Sequence, residues 1–400
     1  MKILFTAVLS CAVFAAVTPV TPPGMSPSGP YTPGILTGDF LYVSGQGARN
    51  PAGEIPSDRK EQLRNAIENV RTVVQAAGLT MEHVVYVQTY LTDGADEQPL
   101  DSLFAKYFPK APPARSTIGV AALPGTPVEI SVVAVRDLSR KKIVTPAGYP
   151  PSASFSAGVI AADRLYVSGL PGNDPQTGKL PADPAAQVRF ALAAVERTTK
   201  AAGIGLPNMV FVNPYLTTSI PMGVMNRIYA EHFEFGNTPA RATIQVSALP
   251  GGAGIQFTGV AVMDLSLRRA VRPKNMEPSP TASPCVFAGD TFFCSAKSGF
   301  IPGPHGGIYA STVETQLRQT MRNLLDGLEE AGLTLGNVVS ANVYLDDISE
   351  FPRFNPVYAE YFGLPFPART TVQQIAPGNR APGSKGVYPT LEQISLIAVR

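Results

Sequence analysis

Residues 41–45 read Leu-Tyr-Val-Ser-Gly, and a string of the same kind returns twice further along the chain. Residues 165–169 repeat it without change, and residues 292–296 read Phe-Phe-Cys-Ser-Ala. An apolar run that ends in small residues is typical of a buried β-strand followed by a turn. Its recurrence at long intervals indicates a chain built from repeated units.

Further landmarks follow each string in a fixed order. They are a helix start at Gln62, Gln187 and Gln316, a helix stop at Gly78, Gly203 and Gly332, a Tyr-Leu pair at Tyr90, Tyr215 and Tyr344, and a Pro-Ala-Arg string that ends in Arg115, Arg241 and Arg369. Successive arginines are 126 and 128 residues apart. We therefore predict three tandem units, at residues 25–139, 147–266 and 275–400, joined by exposed linkers at Leu138–Pro146 and Ser266–Pro273.

The first unit shows which elements each repeat contains. Apolar residues at helical spacing run from Leu63 to Ala77, and Gly78 is the expected helix stop. His83–Leu91 and Ile130–Val135 are rich in β-branched residues, and Leu100–Tyr107 fits a second helix. The order strand, strand, helix, strand, helix, strand, strand predicts an α+β fold with two helices on one face of a mixed sheet.

The N-terminal residues differ in character from the repeats. Met1-Lys2 precede an apolar run, small residues and then a Pro-rich stretch. This order predicts a signal peptide at residues 1–20 and export to the periplasm or the extracellular space. A buried N-terminal helix is the alternative, and Cys11 fits a lipoprotein motif only loosely. No other stretch is long and apolar enough to span a membrane, so no membrane contact is expected after processing.

Cys285 and Cys294 lie in two short apolar runs around Gly289-Asp290. A two-residue turn there would place 285 opposite 294 in a non-hydrogen-bonded pair, with Cα atoms about 4.5 Å apart. That distance is within the range that a disulfide tolerates. A disulfide and two buried thiols both fit the pattern.

The composition excludes several kinds of site. The net charge is only +2 and the basic residues are scattered, so we expect no nucleic-acid partner. The three histidines occupy non-corresponding places in the units, and there is no Cys-x-x-Cys, so no metal site is expected. What remains is an arginine at the start of an apolar strand in every unit. A buried guanidinium needs an acidic partner or an anionic ligand, and its planar fork suits a carboxylate.

The order of motifs resembles the RidA/YjgF family, also known as endoribonuclease L-PSP-like proteins. The motifs in the first unit are Gly29-Pro30-Tyr31, Tyr42–Gln46, a Gln-x-Arg helix, Ala-Ala-Gly-Leu, Tyr-Leu-Thr-Asp, Pro113–Ser116 and Val128–Ile130. The resemblance implies a RidA-like (chorismate mutase-like) unit and, for three units in one chain, an intramolecular pseudo-trimer that is monomeric as a chain. It also implies a ligand cleft at each junction between neighbouring units.

The family's functional residues carry over unequally. Arg115 matches its carboxylate-binding arginine and Glu129 the acid that positions or activates water. Tyr31 and Ser44 match the residues lining the cleft, the Gly45 backbone is nearby, and Thr117 takes the place of the family's frequent Cys as a further substrate-binding candidate. Asp101 stands where the family's deaminases have Asn; the corresponding residues Asn226 and Asn355 are kept in units two and three. Those units also keep Arg241 with Ser168 and Arg369 with Ser295, but have Gln256 and Gln393 in place of the acid. Since Gln cannot act as a general base, their clefts are expected to be degenerate.

By this resemblance, the chain is a cofactor-independent hydrolase of the 2-iminobutanoate/2-iminopropanoate deaminase type. It would convert reactive 2-imino or enamino acids into 2-keto acids and ammonia. We expect one competent cleft, containing Arg115 and Glu129 and completed by Asn226 or Asn355 from a neighbouring unit. The alternative is a non-catalytic protein that binds small carboxylates or acts as a scaffold.

Overall fold

The computed structural model describes residues 16–95, 97–149, 152–274, 276–303, 307–375, 381–383 and 386–400. These residues form three units, each a mixed β-sheet with two helices, and the predicted α+β class is confirmed. Most of the predicted leader, with Cys11, and His305 lie outside the described residues. No helix in the described part of the chain is long and apolar enough to cross a membrane.

The first unit follows the predicted order, with one additional strand in front. Its elements are β1 (Thr18–Val20), β2 (Gly34–Thr37), β3 (Phe40–Gly47), α1 (Arg59–Ala76), β4 (Val84–Leu91), α2 (Gln98–Tyr107), β5 (Ala114–Gly119) and β6 (Val128–Val135). The strands lie in the order β1-β2-β3-β6-β4-β5. The pair β4–β5 is parallel and the other pairs are antiparallel.

The other two units repeat this arrangement. The second contains β7 (Lys141–Val144), β8 (Gly158–Ala161), β9 (Arg164–Pro171), α3 (Pro184–Ala201), β10 (Met209–Leu216), α4 (Met222–Ala230), β11 (Ala240–Arg241), β12 (Ile244–Gln245) and β13 (Ile255–Val262). The third contains β14 (Arg268–Val271), β15 (Cys285–Ala288), β16 (Thr291–Ser298), α5 (Val313–Glu330), β17 (Val338–Leu345), α6 (Phe351–Ala359), β18 (Ala368–Gln373) and β19 (Glu392–Val399). Their sheets have the orders β11-β10-β13-β9-β8-β7, with β12 beside β10, and β14-β15-β16-β19-β17-β18.

Each sheet begins with a short strand in a segment that the sequence analysis assigned elsewhere. The predicted linkers Leu138–Pro146 and Ser266–Pro273 contain β7 and β14, which pair with the first long hairpin of the next unit. β1 pairs with β2 in the same way, and Val20 is buried. The predicted linkers are therefore edge strands and not irregular connections, although most of their residues are exposed and only Val144, Pro146 and Val271 are buried. A leader that ended at residue 20 would also include β1.

The two faces of each sheet meet different neighbours. One face packs against the unit's own helices and forms a separate apolar core in each unit. The other face points to the middle of the molecule, where side chains from all three units share two further cores. Tyr90, Tyr215 and Tyr344, at corresponding positions of β4, β10 and β17, lie together in one of these.

A repeated hydrogen bond joins each unit to the next. The backbone N–H of Arg115 donates to Ser168 Oγ, that of Arg241 to Ser295 Oγ and that of Arg369 to Ser44 Oγ, each at 2.8 Å. Unit one therefore contacts unit two, unit two contacts unit three, and unit three returns to unit one. The contacts between the units form a closed ring.

The β15–β16 hairpin contains the disulfide that the sequence left open. Cys285 and Cys294 are directly opposite one another and their sulfur atoms are bonded. The helix above the hairpin makes room for this bond, since a Cβ added at Gly327 would lie 2.9 Å from Cys285 Sγ. Unit one has the reverse pair, with Gly34 in the strand and Val73 in the helix. The small residue of the pair is therefore in the strand in unit one and in the helix in unit three.

We predict that Gly327→Val lowers the midpoint of thermal unfolding, because the larger side chain collides with the disulfide. Overpacking of a filled core typically costs about 1–3 kcal/mol. The matched control is Gly327→Val combined with Cys285→Gly, which gives unit three the residue pair of unit one. Because Cys285→Gly also removes the disulfide, both variants are measured with the thiols reduced; the double variant should then be more stable than Gly327→Val alone. If adding Cys285→Gly lowers stability further, the two positions do not compensate.

Candidate active site

At each junction of the ring an arginine from one unit lies near strand residues of the next, and we name these three junctions the 1–2, 2–3 and 3–1 clefts. The 1–2 cleft contains Arg115 and Gln256, the 2–3 cleft contains Arg241 and Gln393, and the 3–1 cleft contains Arg369 and Glu129. In each cleft the arginine is the first or second residue of a short strand that is parallel to its neighbour, after a Pro-Ala pair.

In the 3–1 cleft, the guanidinium of Arg369 is held without an acidic partner. Its Nη1 donates to Asn355 Oδ1 at 2.9 Å, and the rings of Tyr358, Phe351 and Tyr31 surround it at 4.9, 5.3 and 6.0 Å. Among the described residues no carboxylate is within 4.0 Å of it, although only 6% of the residue is exposed. Burial lowers the pKa of Arg369, and a negatively charged group beside the guanidinium would counter this effect.

Glu129 enters the same cleft from β6. Its carboxyl group lies over Gly45, where an added Cβ would be 1.9 Å from Glu129 Oε1, so only glycine fits there. Burial raises the pKa of Glu129 to about 8, and a hydrogen bond with the backbone of Thr371 and the charge of Arg369 oppose this effect. A carboxyl group that titrates near neutral pH can both accept and donate a proton under physiological conditions.

Tyr31 and Ser44 also belong to the 3–1 cleft, but with different roles. The Tyr31 ring faces Arg369, as expected for a residue that lines the cleft. The Ser44 hydroxyl accepts from the Arg369 backbone and donates to the Thr32 carbonyl at 2.6 Å. Its proton is therefore engaged within unit one, and its oxygen holds the junction with unit three.

In the 1–2 cleft the arginine is already neutralised. Arg115 Nη2 donates to Glu97 Oε1 at 2.9 Å and to Asp101 Oδ1 at 2.6 Å. Ser154 from unit two also donates to Asp101 Oδ1, at 2.8 Å. Asp101 therefore occupies Arg115 in a direct ion pair, and its own charge would repel a ligand carboxylate. Gln256 donates to Ser116 Oγ and to the Thr117 carbonyl at the same junction.

The 2–3 cleft is intermediate between the other two. Arg241 Nη1 donates to Asn226 Oδ1 at 2.8 Å and the guanidinium lies 5.1 Å from the Tyr229 ring. No described carboxylate is within 4.0 Å of it. Gln393 Nε2 donates to the Thr243 carbonyl at 3.2 Å. Like Arg369, Arg241 is held by an asparagine and not by a carboxylate, but this cleft has Gln393 where the 3–1 cleft has Glu129.

The structure corrects the expected pairing of Arg115 with Glu129. These residues lie in different clefts because the strands that carry them contact different neighbours. β5 packs against β9 of unit two, whereas β3, which lies beneath Glu129, packs against β18 of unit three. Of the two candidate asparagines, Asn355 joins Glu129 and Asn226 does not.

Several residues of the site were not identified from the sequence. Tyr358 and Phe351 contribute rings around Arg369, Thr371 contributes its backbone, and Glu97 pairs with Arg115. A signal existed for the first of these, since an aromatic residue follows the helix Asn or Asp by three residues in every unit, at Phe104, Tyr229 and Tyr358. Thr371 also had a signal, because a Thr follows the cleft arginine by two residues in every unit, whereas Phe351 and Glu97 have no repeated pattern.

The geometry gives no indication of a metal centre. In the described part of the chain no cluster of three His, Cys, Asp or Glu side chains could hold a metal ion. His83 Nδ1 accepts from the Thr80 backbone at 3.1 Å, and His232 Nδ1 is 2.8 Å from the Ile228 carbonyl oxygen.

Comparison with known proteins identifies the repeated unit. The model of the family named Endoribonuclease L-PSP matches residues 23–136, 147–263 and 275–377. A RutC family protein of Saccharolobus solfataricus is 40% identical over 111 residues, which are 27% of this chain and 88% of that protein. The 2-iminobutanoate/2-iminopropanoate deaminase of Rattus norvegicus is 37% identical over 124 residues, which are 31% of this chain and 90% of that protein.

A likeness over more of the chain concerns the fold alone. The crystal structure of a chorismatase is 13% identical, with a TM-score of 0.52, and the match covers 80% of this chain and 93% of that one. Since the family model matches three times and covers most of the sequence, the chain belongs to the endoribonuclease L-PSP (RidA/YjgF) family and contains three copies of the family's unit.

Proposed function

We propose that the 3–1 cleft hydrolyses 2-imino or enamino acids to 2-keto acids and ammonia. The observation that carries the proposal is the meeting of Arg369, which has no described acidic partner, with Glu129, whose pKa is raised to about 8. The name of the rat relative, a 2-imino acid deaminase, supports the same chemistry.

Arg369 would bind the substrate carboxylate. Its planar fork can make two parallel hydrogen bonds to a carboxylate, and the buried position strengthens them. Asn355 fixes the guanidinium through Oδ1, which leaves its NH₂ group available to a substrate oxygen. The three surrounding rings limit the rotation of the guanidinium, so the substrate would be held in one orientation.

Glu129 would transfer protons during hydrolysis. In its ionised form it takes a proton from water as the water oxygen bonds to the C2 atom of the imine. It returns that proton to the nitrogen as the C=N double bond becomes a single bond, which gives a carbinolamine. Glu129 then takes the proton of the new hydroxyl group as the C=O bond forms and delivers it to the nitrogen as the C–N bond breaks, so the products are a 2-keto acid and ammonia. The atoms balance without a cofactor, and the protein supplies position and charge.

The alternative is a non-catalytic protein that binds small carboxylates. Two observations favour it: the acid is replaced by Gln256 and Gln393 in two clefts, and Arg241 in the 2–3 cleft is not paired with a described carboxylate. This reading predicts that 2-ketobutyrate or benzoate binds with measurable heat while no imine is hydrolysed.

We expect Arg369→Gln to lower kcat/KM for a 2-imino acid by about 100-fold, because two charged hydrogen bonds at about 1.5 kcal/mol each are lost. The matched control is Arg115→Gln, which removes the corresponding arginine of the 1–2 cleft and should leave kcat/KM within about twofold. The assay follows 2-keto acid and ammonia above the spontaneous rate. A greater loss of kcat/KM in Arg115→Gln than in Arg369→Gln would place the activity in the 1–2 cleft and contradict the proposal.

The raised pKa of Glu129 predicts the pH dependence of the reaction. Because the carboxylate is the active form, kcat/KM should rise with pH and level off above about 8. Glu129→Gln should lower kcat/KM by about 100-fold or more and abolish this rise. A pH profile that is the same in both proteins would exclude Glu129 as the general base.

We also propose that the chain is exported. The disulfide between Cys285 and Cys294 supports this, because disulfides persist in oxidising compartments. Processing that spares β1 would cut before Thr18. When the full chain is expressed in a bacterial host, it should appear in the periplasmic fraction or the medium in a processed form, cleaved at a site before Thr18. Recovery of unprocessed chain from the cytoplasm alone would contradict export.

A further inference from the structure

The mouth of the 3–1 cleft is bordered by two adjoining open pockets of about 390 and 520 Å³. Both include Gly29 and Phe366; Asn355 lines the first and Tyr31 the second. Arg369 and Glu129 do not line either pocket, but three lining residues adjoin Arg369: Asn355 accepts a hydrogen bond from it, Tyr31 faces it, and a Cβ added at Gly29 would lie 3.4 Å from its Nη2. The pockets are therefore next to the group that would bind the substrate carboxylate.

Most of the residues that line this mouth are apolar, and the polar ones are uncharged. Five of them define what we call the apolar mouth: Pro30, Pro352, Pro356, Leu364 and Phe366. Leu364 is 85% exposed, the highest value among the large hydrophobic residues of the described chain. None of the described residues lining the two pockets is Asp, Glu, Lys or Arg. A charged group placed here would lose water without gaining a partner from that lining.

The other two clefts provide an internal comparison. At the corresponding positions the 1–2 cleft has Ser154, Gln98, Ser102, Lys110 and Pro112, and the 2–3 cleft has Thr281, Gly223, Arg227, Gly236 and Thr238. One of these ten residues is apolar and larger than glycine, against all five in the 3–1 cleft. The fold therefore does not require the apolar mouth. All five positions are apolar only in the cleft that has Glu129, although unit two has the exposed residues Met222 and Phe235 beside two of the compared positions.

From this we infer that the 3–1 cleft selects 2-imino acids with large apolar side chains, such as those formed from leucine or phenylalanine. The juxtaposition that carries the inference is the apolar mouth beside Arg369, Asn355 and Glu129. The inference rests on the proposed function and adds the substrate class. Contact with the substrate side chain would remove Leu364 and Phe366 from water, and the rigid prolines would lose little freedom on binding.

The test compares imines released in place from leucine, phenylalanine, alanine and glutamate by an amino-acid oxidase. We expect kcat/KM for the leucine and phenylalanine imines to exceed that for the alanine imine by about tenfold or more, with the glutamate imine lowest. Equal values for all four would overturn the inference while leaving the proposed function in place.

Variants assign the preference to the mouth. Leu364→Gly with Phe366→Thr introduces the residues of the 2–3 cleft and should remove most of the preference while keeping the alanine imine within about twofold. Lys110→Gly, at the position of Leu364 in the 1–2 cleft, is the matched control and should change nothing. Equal loss for every substrate in the double variant would contradict a role in selection.

Calorimetry separates this inference from the proposed function. Binding of 4-methyl-2-oxopentanoate, the keto acid from leucine, should be about tenfold tighter than binding of 2-oxopropanoate, and the double variant should bind both alike. Failure to hydrolyse any imine would overturn the proposed function, whereas equal binding of the two keto acids would overturn the inference. Concentration-dependent dimers that the double variant abolishes would assign the apolar mouth to a second copy of the chain and likewise overturn it.

Discussion

The hydrogen bond between an arginine backbone N–H and a serine hydroxyl of the next unit is the contact on which the assembly of the clefts depends. It occurs three times with the same length, and each serine hydroxyl in turn donates a hydrogen bond to a backbone carbonyl of its own unit. All of these groups are buried or nearly so, and an unpaired buried N–H is costly. The bond therefore fixes where each arginine side chain enters its cleft.

With the backbone fixed, the three clefts differ through the charges around the guanidinium. Arg115 is neutralised by two carboxylates, Arg241 has an amide and no described acid, and Arg369 has an amide with Glu129 nearby. A homotrimer would have to change all of its clefts together. Joining three units in one chain removes this restriction, so one cleft can specialise while in another the arginine is occupied by an ion pair within unit one.

The repeat, the element order and the candidate residues could be predicted from the sequence because they depend on local patterns. The helix at α1 follows from apolar spacing, and the Cys285–Cys294 pair follows from hairpin geometry. The pairing of Glu129 with Arg369 could not be predicted in this way, since it depends on which unit follows which around the ring. The edge strands β1, β7 and β14 were missed for a related reason: three or four residues are too few to show a period.

The position of the 3–1 cleft along the chain has a consequence for synthesis. Ser44 is separated from Arg369 by 325 residues, and the Arg369 segment lies near the C-terminus. The 1–2 cleft, with Arg115 and Gln256, can close while the ribosome is still translating the remainder, whereas the 2–3 cleft also requires Gln393. The cleft with both Arg369 and Glu129 must wait until nearly all of the polypeptide has emerged, with the face of unit one that receives β18 uncovered in the meantime. Nascent chains would then be catalytically silent, and the moment of ring closure would also be the moment at which activity begins.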